Sequence, residues 1–151
     1  MILLCLLGVL GRVSADETYT LTLVFQRMHC DECKREAEAT CKRLPGFVGV
    51  TFLETAAVVI LTDKSPVPAV AGLPKDMGFR GAHLQIHGTV SFSGDKATLV
   101  ARGSGATIAL TGDKLAELKK KLGGKNRFQV GGAMAGKSLA LESFQPADWK
   151  D

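Results

Sequence analysis

Four consecutive residues, Cys30-Asp31-Glu32-Cys33, are the part of this chain best equipped for chemistry. Two cysteines separated by two residues can turn both sulfurs toward one ion where a strand ends and a helix begins. The free N–H groups of a helix start favour thiolates there. Arg27, Lys34 and Arg35 add positive charge around the pair, while Asp31 and Glu32 oppose it. A thiolate pair is a soft donor set that suits Cu(I), Hg(II) or Zn(II) rather than Mg(II) or Ca(II). Two thiolates alone fit near-linear coordination best. A closed zinc site asks for about four protein ligands, and the sequence has no second CxxC. The same spacing also fits a thioredoxin-like exchange pair or a plain disulfide.

The elements that must position this pair follow from the pattern around it. The segment 19–25 (YTLTLVF) reads as a strand, rich in β-branched and aromatic residues. Residues 31–44 read as a helix whose positions Ala37, Thr40, Cys41 and Leu44 share one face, stopped by Pro45-Gly46. Strand signals follow over 47–53 and 57–61. A short helix is expected over 67–77, entered through Ser65-Pro66 and distorted by Pro74, and then a strand over 81–85. The order βαββαβ implies a ferredoxin-like sandwich with both helices on one face of an antiparallel sheet.

The second half changes rhythm. Strands are expected over 86–92, 96–101 and 106–110. A helix capped by Asp113 runs to Leu122, and strands follow over 127–130 and 138–142. The order βββαββ suggests a small OB-like β-barrel with one helix. The expected fold class is therefore α+β. A signal peptide occupies 1–15, the sandwich 16–85 and the barrel 86–151. Almost no linker separates the last two, and one bent strand near 83–88 can serve both.

Met28-His29-Cys30-Asp31-Glu32-Cys33 resembles the Met-x-Cys-x-x-Cys loop of the heavy-metal-associated domain family, which includes copper chaperones and exported mercury-binding proteins. The resemblance runs over roughly 18–86. It continues through Ala37, Cys41 and Leu44 at core positions, Gly46-Phe47 at the second strand, Val50 and Phe52 within it, Ala57-Val58-Val59, Asp63 and the terminal pair Gly78-Phe79. It implies a metal ion held by Cys30 and Cys33, Cu(I) first with Hg(II) or Zn(II) as alternatives. The ion would be handed to a cysteine-bearing acceptor such as a metal-transporting membrane protein. It also implies that Met28 packs the core rather than ligating. Arg27 and His29 depart from the family's glycine and threonine. His29 is read as pointing away from the ion, a third ligand being the alternative.

Other candidates fall away on geometry. Cys41 is eleven residues after Cys30, about 16 Å along a helix axis at 1.5 Å per residue, so it cannot share the ion and is read as core. His83 and His87 would stand about 13 Å apart on a strand and are read as surface residues. Phe79 is expected beside the metal loop.

Residues 2–10 are almost wholly apolar, and Val13-Ser14-Ala15 offers a cleavage pattern, so export to a periplasmic or extracellular space is expected. Cys5 then leaves with the signal. Three cysteines remain, an odd count that argues against a disulfide framework. The formal charge is +4, and removal of 1–15 takes away only Arg12, leaving +3. With few stacking aromatics available, that mild excess argues against nucleic acid, and Lys119-Lys120-Lys121 is read as a solvated helix face. No nucleophile triad, phosphate loop or paired-carboxylate signal points to an enzyme. The rival readings are a thiol–disulfide oxidoreductase using the same cysteines and a non-catalytic interaction protein with a static disulfide.

Overall fold

A computed structural model describes residues 18–26, 30–67 and 79–149. In β1 (Thr18–Phe25), Tyr19, Leu21, Leu23 and Phe25 alternate inward, as a half-buried strand requires. Helix α1 (Asp31–Lys42) packs on that face through Ala37 and Cys41, and Glu38 and Lys42 pair on its outer side at 2.8 Å. β2 (Phe47–Phe52) and β3 (Ala56–Thr62) form an antiparallel pair, and β3 adds to β1. Gly46, at φ 74°, makes the turn into β2. A Cβ there would overlap the Ser65 side chain, so only glycine fits.

β4 (Phe79–Ser93) is the spine of the molecule. Its first part pairs with β1, its last part with β5 (Lys96–Ala101), and its middle with β7 (Arg127–Ala135). β6 (Thr107–Thr111) follows β5, helix α2 (Leu115–Lys121) seats Leu118 in the core, and β8 (Ser138–Pro146) lies between β6 and β7. The sheet order is β2-β3-β1-β4-β5-β6-β8-β7. The pairing of β7 back onto β4 closes the last five strands into a barrel. All pairings are antiparallel except β6 with β8.

This architecture corrects the expected fold class of a ferredoxin-like βαββαβ sandwich followed by a small OB-like barrel. Strands hold 55% and helices 16% of the described residues, so the molecule is mostly β with a closed five-stranded barrel, and no such sandwich stands ahead of it. The strands expected over 81–85 and 86–92 are one strand, in line with the bent strand expected near 83–88. Ala82, Leu84, Ile86, Gly88 and Val90 keep a single buried alternation across that point, and no turn residue interrupts it. The helix expected over 67–77 lies, apart from Val67, outside the described residues. Asp113 does not cap α2; Lys114 holds that position with no side-chain bond to the helix. Among the described residues no helix is long and apolar enough to cross a membrane.

Candidate functional site

β1 delivers the chain to the site end of the sheet. There the Phe25 N–H donates to the Thr55 carbonyl at 2.9 Å, and the Phe25 ring meets Phe79 edge-on at 6.3 Å. Cys30 is the N-cap residue of α1, with extended backbone (φ −107°, ψ 148°), and its Sγ accepts the Cys33 N–H at 3.1 Å. A sulfur thus takes the place of the usual oxygen acceptor at a helix start. Both cysteines are exposed, their Cα atoms stand 5.2 Å apart, and their sulfurs are joined in a disulfide. Asp31 and Glu32 occupy the first turn of α1. They favour the helix end but work against a second negative charge on the sulfurs.

As a disulfide the pair has no thiolate to offer a metal. Adding two electrons and two protons gives the dithiol, and loss of the protons leaves two soft anionic donors on one exposed turn. Among the described residues no group of three or more His, Cys, Asp or Glu side chains gathers around an ion-sized point.

Among the described residues Cys41 is the free cysteine, 1% exposed. Burial pushes its thiol up to about 11, an effect offset in part by a backbone hydrogen bond and reinforced by the Glu38 carboxylate. It belongs to the core under α1. Arg27, Met28 and His29 lie outside the described residues. Phe79 is half-buried against Phe25, at the end of the sheet from which the chain leaves for the cysteines.

Sequence reasoning missed two groups on the outer side of β4. His83 stands 3.4 Å from Glu142, the extra residue of a bulge opposite Gly131 and Gly132. The bulge turns Glu142 outward, and a cleft of about 240 Å³ lies there, lined in part by Thr20, Thr22, Gln85 and Ser143. Further along, the Trp149 ring carries Arg102 at 5.4 Å and Arg127 at 5.1 Å, and His87 meets it edge-on at 6.0 Å. The odd positions His83, Gln85 and His87 could have marked this face once 79–93 was read as one strand. Nothing in the local sequence announces Glu142 or Trp149 as their neighbours.

Comparison of the chain with family models, curated proteins and solved structures finds no match.

Proposed function

We propose that this chain is an extracytoplasmic carrier or sensor of a soft metal ion, which it takes as cargo rather than as a resident cofactor. Cys30 and Cys33 in their reduced form hold the ion. Cu(I) is the first choice because two sulfurs satisfy near-linear coordination, with Hg(II) next and Zn(II) requiring further ligands. The observation that carries this reading is the exposed cysteine pair fixed at the N-terminus of α1, with Cys30 Sγ already accepting a backbone N–H. Transfer is ligand exchange. A thiolate of the acceptor bonds the ion as one of the two carrier thiolates leaves, so no net redox change occurs. The acceptor is a cysteine-bearing protein such as a metal transporter in the membrane. The apolar segment 2–10 and the small residues before Asp16 support export.

The test is competitive titration of the reduced protein with Cu(I) under a chelator of known affinity. One ion per chain is expected, with loss of binding in Cys30→Ser/Cys33→Ser. Absence of one-to-one binding sinks the reading, and survival of binding in the double variant sinks the site. The disulfide favours one rival, a thiol–disulfide oxidoreductase using the same pair. Little turnover in an insulin-reduction assay is expected; robust turnover would establish the rival instead.

A further inference from the structure

The sheet has one open side among the described residues. Seven of its eight strands have neighbours on both edges, because closure of the barrel consumes the edges of β4 to β8, while β3 and β4 cover β1 and β1 and β2 cover β3. β2 alone has a single partner. Exposed strand edges are normally guarded by lysine, proline, inward charge or a bulge. β2 reads FVGVTF, with neither a charge nor a proline. Its bulge lies at its start, between Phe47 and Gly49, and leaves 50–52 in regular register with β3. Two of the most exposed large apolar side chains of the described residues flank this stretch, Val48 at 55% and Leu53 at 53%.

We propose that β2 is a homodimer edge, at which two copies of this chain pair antiparallel about a twofold axis through Thr51. The sequence of β2 selects a second copy as the occupant because it is complementary to itself in this register. Thr51 faces Thr51 of the second copy on the side away from α1. On the α1 side Val50 meets Phe52 in both directions. Thr–Thr and aromatic–β-branched pairs are among the favourable cross-strand combinations. Gly49 faces Leu53. A Cβ at Gly49 would meet no atom within 4 Å, so the space above it is open, and the exposed Leu53 of the other copy fills it. No like charges meet anywhere between 47 and 53, whereas a guarded edge would repel its own copy. The contact is isologous and closes after two copies, since a twofold pairing occupies the β2 edge of each.

The cysteine pair takes no part in this contact, so its test is independent of the metal reading. Sedimentation of the native protein between about 1 and about 500 μM should show a reversible monomer–dimer equilibrium, as a contact smaller than a standard interface implies. Thr51→Lys, a change at an exposed position, places two like charges opposite each other and should give a folded monomer throughout that range. Thr51→Cys should cross-link two copies under mild oxidation. Residues opposed across an antiparallel axis have Cα atoms about 4.5–5.5 Å apart, within disulfide reach. Gly49→Cys, which faces Leu53, should not cross-link. Cys30→Ser/Cys33→Ser should leave the equilibrium unchanged. A monomer at every concentration with no Thr51→Cys cross-link would overturn the proposal and leave the edge to a different strand. A dimer that persists in Thr51→Lys would overturn it by placing the interface elsewhere.

Discussion

Cys41 carries the same side chain as Cys30 into the opposite surroundings. Burial pushes its thiol from an ordinary 9.0 up to about 11, and burial likewise pushes the Tyr19 hydroxyl, which donates to the Pro66 carbonyl at 3.1 Å, from 10.0 to about 12. Both groups are neutral when protonated, and both hold their protons longer in the folded chain than in the unfolded one. Below pH 9 neither affects the balance. Above it the unfolded state binds fewer protons than the native state, so stability falls as pH rises, through 9–11 for Cys41 and 10–12 for Tyr19. Urea melts between pH 8 and 11 should show this loss, and Cys41→Ala should show less of it. At pH 7 the same substitution should cost about 1 kcal/mol for the buried volume removed, with metal stoichiometry unchanged. Loss of the ion in a folded Cys41→Ala protein would mean that the third cysteine reaches the site. The core role of Cys41 was legible because Ala37, Cys41 and Leu44 keep helical spacing. The bond between Cys30 and Cys33 was not, since CxxC spacing permits a disulfide and a dithiol equally.

At the scale of elements, periodicity located strands and helix α1 well wherever one face is buried and the other wet. The expected 19–25 and 96–101 lie within a residue of β1 and β5, and α1 starts at Asp31 as expected but ends two residues early, at Lys42. Where one strand serves two neighbours in turn, periodicity marked two segments, 81–85 and 86–92, and their union was expected only as one bent strand near 83–88. β4 runs for fifteen residues because its even positions from 82 to 90 stay buried first against β1 and then within the barrel. Read locally, it looked like two short strands. Gly88 is the point where the change of partner is made. It pairs with Ala101 on one side and Phe128 on the other, and a Cβ there would lie 2.5 Å from the Val100 carbonyl oxygen and 2.7 Å from Leu99 Cδ1. The backbone oxygen cannot swing aside as a side chain can, so β5 must shift. Gly88→Ala is therefore expected to destabilise by about 1–3 kcal/mol, the usual cost of overpacking, and to lower the urea midpoint with little change in slope. A neutral Gly88→Ala would show that β5 sits less tightly on β4 than the register implies.

For the whole molecule, the sharing of β4 governs how the fold comes apart. Leu84 and Ile86 are buried at the junction between the barrel and the β2-β3-β1 part of the sheet (the first sheet), and Leu21 of that part is paired with Leu84, which is paired in turn with Gly132 of the barrel wall. Freeing the first sheet would strip one edge of β4 at 79–85, while opening the barrel would strip the other at 83–89. Each event exposes apolar surface on the part left behind, so unfolding of either half should pull down the other. The chain supplies a reporter on each side. Trp149, the single tryptophan, packs with Arg102, Arg127 and His87 beside the barrel, and Cys41, the free thiol among the described residues, is buried under α1. With Cys30 and Cys33 kept as the disulfide, tryptophan emission and alkylation of Cys41 should report the same urea midpoint, as coincident probes do in two-state unfolding. A chain cut after residue 85 lacks Trp149, and its Cys41 should become open to alkylation at a lower urea concentration than in the full chain, since the remaining stub of β4 would show the barrel-side edge at 83–85 to water. An alkylation midpoint well below the fluorescence midpoint would instead mean that α1 and the first sheet open independently. β4 would then act as a tether between two folding units rather than as their common core.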